Sequence, residues 1–180
     1  PYVREITCCD STNLLRKDNR IISQCPKCKK IISVLKHDPY RKYNLKLINE
    51  IKKKRLDKKI IPFFIVHMQN PFLREEINFY LDNYDNFGLK FHTFVSRKSI
   101  GQIKKYLWGL KLPLFIHSGH DKFSNPKDII NFAKKYNGNI LMAHSARLSI
   151  KHLKKINSIK NLFVDTSPLT SFYRKIKAKE

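Results

Sequence analysis

Two periods of hydrophobic and polar residues alternate along most of the chain. Residues 60–68, Ile-Ile-Pro-Phe-Phe-Ile-Val-His-Met, are too continuously apolar for a strand with one wet face, and they predict a strand covered on both sides that ends at His67. Residues 88–94 alternate, with Leu89, Phe91 and Thr93 on one face and Lys90, His92 and Phe94 on the other. Two further apolar runs, 112–119 and 139–145, each deliver one histidine, His117 and His144, to a strand end, and 162–167 is the last such run. The segments between them carry a helical period. Tyr43, Leu47 and Ile51 form one stripe in a helix that Asp38-Pro39 opens and that ends near Leu56; Leu73, Ile77, Leu81 and Tyr84 form the next, after Asn70-Pro71. Ile100, Ile103, Leu107 and Leu110 mark a third helix. Asn125-Pro126 opens a fourth, with Asp128 in its first turn and Gly138 as its stop, and Ser149 opens a fifth that carries Ile150, Leu153, Ile156 and Ile159.

Strands that start near 61, 88, 113, 140 and 162, each followed by one helix, imply parallel strands joined by right-handed crossovers. An open doubly wound sheet and a barrel both satisfy this order. No Gly-rich phosphate loop follows any strand, and polar residues gather at the strand C-termini, where barrel enzymes place their chemistry. The expected fold is therefore α/β, a partial (β/α)8 TIM-type barrel of roughly strands 2 to 7, forming one incomplete domain. Its clear core spans residues 38–169. Residues 1–37 are poorly patterned, with a short capped helix expected near 10–18 and a strand over 19–25.

Composition changes this picture little. The 180 residues are 42% hydrophobic and 12% aromatic, an ordinary globular content. The formal charge of +23 raises a nucleic-acid partner, but the lysines are spread along presumed polar helix faces, and solvated faces are the reading preferred over a dedicated surface. No signal peptide and no long apolar run occurs, so the expected setting is cytoplasmic, with no membrane partner. Cys8, Cys9, Cys25 and Cys28 are the four cysteines; Cys25-Pro-Lys-Cys28 has zinc-knuckle spacing, yet Cys8-Cys9 makes no second CxxC, and plain reduced thiols are expected.

The chemistry concentrates on the paired strand-end histidines, since histidine is the commonest metal ligand and a proton shuttle near neutral pH. Each precedes a serine, small enough to leave room for a metal or substrate. The runs Gly-Leu-Lys-Phe-His (88–92), Leu-Pro-Leu-Phe-Ile-His-Ser-Gly (112–119), Ile-Leu-Met-Ala-His-Ser-Ala-Arg (140–147) and Asn-Leu-Phe-Val-Asp-Thr-Ser (161–167), in this order, resemble the amidohydrolase superfamily and its decarboxylase-like branch. The likeness covers about residues 38–169, and residues 12–21 look like the family's first helix leading into its second strand.

The resemblance implies a small-molecule substrate and one or two divalent metal ions, most simply zinc, that serve hydrolysis or non-oxidative decarboxylation. His117 matches the metal-binding histidine of the fifth strand. His144 matches the sixth-strand histidine, a metal ligand or a general acid/base, and Lys90 matches a position that some members use as a carboxylated, metal-bridging lysine; contact with a substrate anion or a neighbouring carboxylate is the equal alternative. Asp165 is a tempting catalytic carboxylate on a strand where the family's residue is more often structural. His92, His120 and Arg147 are candidate substrate contacts, and His67 a candidate lining residue, whereas His37 and His152 fall on loop and helix surface. Two departures stand out: the family's first-strand His-x-His and its eighth-strand aspartate have no counterpart, so the chain is expected to be an internal piece of a longer protein, inactive alone. The alternative is a non-catalytic basic protein that binds RNA or another polyanion.

Overall fold

A computed structural model describes residues 13–119, 121–148 and 150–167, the backbone alone for 146–148. The chain divides into two compact units, Pro1–Asn86 and Phe87–Glu180.

The first unit begins with a three-stranded antiparallel sheet, β1 (Asn13–Lys17), β2 (Arg20–Gln24) and β3 (Ile31–Leu35), in that order. The helix expected near 10–18 is thus corrected over its described part: residues 13–17 are a strand. Lys17 pairs with Arg20, so Asp18-Asn19 is a two-residue turn, and Asp18 takes the left-handed conformation (φ 52°) that aspartate tolerates better than most residues. The expected strand over 19–25 is β2, with Ile21 and Ile22 buried.

Helix α1 (Arg41–Lys53) follows the Asp38-Pro39 signal, but it does not bury the Tyr43/Leu47 stripe. Tyr43 and Leu47 are 47% and 42% exposed, while Asn44, Ile48 and Ile51 face inward. Asn44 decides the rotation. Its Nδ2 donates to the Ile65 carbonyl (2.7 Å) and to the Tyr80 hydroxyl (2.7 Å), and its Oδ1 accepts from Ile65 N (3.1 Å), so it satisfies both backbone groups of a strand residue. That strand, β4 (Phe63–Ile65), is shorter than the apolar run, and Ile60 and Ile61 stay exposed. Helix α2 (Leu73–Asn83) buries Leu73, Ile77 and Tyr80, together with Glu76 in place of the expected Leu81. Glu76 is held by the Arg41 guanidinium (2.6 Å), whose carbon stacks 4.0 Å from the Phe79 ring centre. Beside it lies the buried carboxyl of Asp38.

The second unit carries β5 (Gly88–Phe91), the helical turn α3 (Thr93–Ser96), α4 (Ile100–Leu107), β6 (Leu114–Ile116), α5 (Pro126–Ala133), β7 (Ile140–Met142), α6 (Ile150–Ile156) and β8 (Leu162–Val164). Its strands pair in parallel in the order β5-β6-β7-β8. The α/β alternation expected from the pattern is present, and among the described residues no closed barrel forms. Helices start where the sequence signals them. Ser99 and Gln102 form a reciprocal capping box on α4, and Asn125 Oδ1 accepts from Lys127 N (2.9 Å) at α5.

The register sorts the strand residues into two faces. Leu89, Phe91, Leu114, Ile116, Ile140 and Met142 are each fully buried. The opposite face carries Lys90, Phe115, Leu141 and Phe163 side by side across the four strands, less covered, with Phe163 51% exposed. Burial supplies the main driving force for the first face, at roughly 1.5–3 kcal/mol per large apolar side chain.

Gly138 plays a part that its expected role as helix stop does not describe. A Cβ there would stand 2.7 Å from the Leu112 carbonyl oxygen and 2.9 Å from the Lys111 carbonyl carbon. Both obstacles are backbone, so Gly138→Ala is expected to lower the unfolding free energy of this unit by about 1–3 kcal/mol. Chemical denaturation of the variant checks this, and an unchanged midpoint would contradict it.

Candidate functional site

Three of the strand ends in the second unit converge on histidines. His117 directly follows β6, and its backbone N donates to the Phe91 carbonyl (3.0 Å), continuing the ladder one residue beyond the strand. His92 follows β5. The alternation predicted through Phe94 stops at Phe91, because Thr93–Ser96 turns into a helix for which His92 is the cap; its Nδ1 accepts from Val95 N (3.3 Å). The His92 and His117 rings stack with centres 4.1 Å apart and planes 17° from parallel.

His144 arrives differently from the sequence expectation. Strand β7 ends at Met142, and Ala143–Leu148 forms a 3-10 helix in which His144 (φ 62°) and Ser145 (φ 47°) both sit in the left-handed region. For residues with a Cβ this conformation is costly and needs outside support. Asp165, just past β8, gives that support. Its Oδ1 accepts from His144 N (2.5 Å), its backbone carbonyl accepts from the Ser145 hydroxyl, and its Oδ2 accepts from Ser167 Oγ (2.9 Å). Asp165 therefore aims His144.

The two serines also differ from their expected role. Ser118 is fully buried and donates to the Ala143 carbonyl, and Ser145 is bound as described, so both tie neighbouring strand ends together and neither opens space. Thr93, which the sequence reading placed only as a face residue, donates to the His117 carbonyl (3.0 Å) and bonds Ser124 Oγ (2.7 Å). It fixes the backbone from which His117 projects. A threonine one residue past a strand-end histidine was the only signal for it.

The imidazoles of His117 and His144 meet edge to face, with His117 Nδ1 3.2 Å from His144 Nε2. His144 Nδ1 lies 2.8 Å from the Ser167 carbonyl, an acceptor only, so Nδ1 carries the proton in the neutral ring and Nε2 presents its lone pair toward His117. This is the outer-shell arrangement that orients metal-binding histidines.

Lys90 lies on the less covered face with its ammonium 3.3 Å from the Phe115 ring centre. Burial lowers its pKa to about 8, and the charge of Asp165 opposes that fall. His92 is held to about 4, first by burial and then by the positive charges of Lys90 and His144, so its ring is neutral at physiological pH. The site thus combines two stacked imidazoles, of which that of His92 is neutral, a lysine with a softened charge, and a carboxylate that positions a third imidazole.

The pair of ring nitrogens fits a zinc ion in spacing. Two nitrogens bound to one zinc at about 2.0–2.1 Å stand about 3.2–3.4 Å apart in tetrahedral geometry. They supply two ligands, and among the described residues no group of three or more histidine, cysteine, aspartate or glutamate side chains could hold a metal. His120 and the Arg147 side chain lie outside the described residues. His67 is buried in the first unit, where its Nδ1 accepts from Gln69 N (3.2 Å).

Fold and site together define a class: an α/β protein with a parallel sheet and a histidine-rich cluster at its strand C-termini. No family model, no curated protein and no solved structure matches the chain. No helix among the described residues is long and apolar enough to cross a membrane.

Proposed function

We propose that the strand-end cluster is the metal-binding centre of a hydrolase or non-oxidative decarboxylase of the amidohydrolase type, with the second unit as part of its barrel wall. The observation that carries this reading is the facing pair of His117 Nδ1 and His144 Nε2 at 3.2 Å, with the outer nitrogen of His144 anchored on a carbonyl. His117 and His144 would hold a divalent ion, most simply zinc. Such an ion, when bound, supplies a water activated near neutral pH or polarises a substrate carbonyl or carboxylate.

The chain's own residues do the remaining work. Where His117 rather than His144 ligates the ion, His144 instead holds or passes a proton at Nε2. Lys90, on the same face, contacts an anionic group of a small-molecule substrate, and its pKa near 8 leaves an appreciable neutral fraction, the form that a carboxylated lysine would require. His92, stacked on His117 and neutral, limits the ring's rotation and walls the site against water.

The test is a zinc titration followed through the histidine ring nitrogens by NMR. His117 Nδ1 and His144 Nε2 are expected to move together to metal-bound shifts, with affinity reduced roughly tenfold or more in His117→Ala. Neither nitrogen responding to millimolar zinc would overturn the reading. A panel of amide, ester and carboxylate substrates then separates hydrolysis from decarboxylation.

One observation supports the second reading, a polyanion-binding protein. A cavity of about 340 Å³ in the second unit is lined by Lys127, Lys134, Lys151 and Lys155 together with His152, whose buried Nδ1 has no hydrogen-bond partner among the described residues. Burial lowers the His152 pKa, and Lys155 and Lys151 lower it further. This reading requires RNA affinity that falls steeply as salt rises; no binding at low salt removes it.

A further inference from the structure

The groove between α5 and α6 in the second unit gathers positive charge in a way that a solvated helix face does not. Lys127, in the first turn of α5, and Lys134, at its C-cap, line one side, and Lys151 and Lys155, one turn apart on α6, line the other. Four ammonium groups thus share one cavity of about 340 Å³, and none of its described lining residues is an aspartate or glutamate. Elsewhere the chain sets a carboxylate against its inward-facing cations: Arg41 has Glu76, and Lys90 has the charge of Asp165. In the groove the like charges repel one another, and no carboxylate among the described lining residues offsets them.

His152 belongs to the same lining. Its Nδ1 is sealed from solvent and has no hydrogen-bond partner among the described residues, an uncommon condition for which an ion that completes the surroundings is one physical account. Burial lowers its pKa, and Lys155 and Lys151 lower it further, so the neutral ring reports the field of the lysines beside it.

Size narrows the ligand. The cavity lies at the small end of the roughly 300–1,000 Å³ range of small-molecule sites, and Lys127 and Lys134 stand about 10 Å apart along the helix axis. Ammonium groups that close on so short a volume suit phosphates joined directly to one another, where negative charge is densest. An RNA strand instead spreads its phosphates along a backbone longer than the groove. We propose, resting on the polyanion reading for the sign of the ligand's charge, that the α5–α6 groove binds a compact oligophosphate, free or carried on a small molecule such as a nucleoside diphosphate. The lysines meet its oxygens as point charges, and Asn131 in the same lining supplies an amide donor. None of these residues belongs to the histidine cluster, so the site does not depend on the proposed hydrolase.

The experiment titrates the whole chain at low salt with pyrophosphate and, separately, with ADP. Saturable binding of one equivalent is expected. The His152 ring resonances should move and its pKa should rise, because the bound anion offsets the charges of Lys155 and Lys151. Lys134→Gln/Lys155→Gln should weaken binding roughly tenfold or more. Lys53→Gln/Lys58→Gln removes the same charge from the first unit and should leave affinity within about twofold. All four side chains are exposed, so both variants are expected to keep the fold. Equal affinity for the two probes assigns the site to the phosphates alone, and tighter ADP binding assigns it to a ligand that carries them. An equal loss in the two variants, or a His152 ring that does not respond, overturns the proposal. RNA binding without pyrophosphate binding also overturns it and leaves the polyanion reading standing, whereas binding of neither removes both.

Discussion

Asp165→Ala is expected to lower the unfolding free energy of the second unit by about 2–3 kcal/mol and to weaken zinc binding at the histidine pair by roughly 10–100-fold. The carboxylate accepts a charge-assisted bond from His144 N, across 21 residues of sequence, and that bond keeps two consecutive non-glycine residues at positive φ. Without it the amide is left unpaired, the left-handed turn loses its support, and the His144 ring no longer has a fixed approach to His117. Asp165→Asn separates aim from charge. It keeps an oxygen for His144 N, so most of the stability and affinity should remain, while Lys90 loses the opposing charge and its pKa should drop further below about 8. Denaturation, zinc titration and lysine NMR read the three effects. An alanine variant of unaltered stability would refute the positioning role, and one that loses zinc at full stability would make Asp165 a ligand.

The second large effect belongs to Asp38 in the first unit. Its Oδ1 accepts from Tyr40 N (2.9 Å), and its Oδ2 accepts from His67 N (2.9 Å) and Asn70 Nδ2 (2.9 Å). Burial nonetheless wins over these donors and, with a smaller push from Glu76, raises the carboxyl pKa from 3.8 to about 6. A cavity of about 260 Å³, lined in part by Asp38, Arg41 and Glu76, gives the proton a route. Because the folded state holds the acid form more tightly than the unfolded chain does, this group's contribution is fullest below pH 3.8. It declines as pH rises to about 6 and is flat above. Between pH 5 and pH 7.5 the decline is about 1 kcal/mol.

Asp38→Ala leaves three donors without their acceptor and is expected to cost about 3 kcal/mol at pH 5. At pH 7.5 the cost should be about 1 kcal/mol smaller, since only the wild type loses the carboxyl's contribution over that range. Denaturant titrations of both proteins at the two pH values give the comparison. A cost that is the same at the two pH values would mean that the donors outweigh burial and that the carboxyl titrates at or below its ordinary value.

The parts of the fold that were legible are those in which one element reports on itself. Five strand starts came from runs such as 112–119 and 139–145, because an apolar run that must be covered on both faces leaves its mark in composition whatever covers it. The strand-end position of His117 came with them, whereas His144 lies in the 3-10 helix that follows β7. Capping signals such as Asn125-Pro126 are equally local, since a helix start is satisfied by side chains one to three residues away. Residues 13–37 were less legible because their strands are short and the turn between β1 and β2 rests on a left-handed Asp18, which no hydrophobic period records.

What the sequence determined by itself, then, was the alternation of strands with helices and the delivery of His117 to a strand end, both consequences of local burial and local hydrogen bonding. The tertiary structure decided the rest. It turned α1 so that Asn44 replaced Tyr43 and Leu47 on the inner face, because the strand beside it needed its backbone satisfied. It carried His144 through a left-handed turn toward His117, because an aspartate beyond the next strand could hold that turn in place. Partners 27 residues apart in sequence leave no periodic trace, so the approach of His117 Nδ1 to His144 Nε2 at 3.2 Å is a property of the folded chain alone.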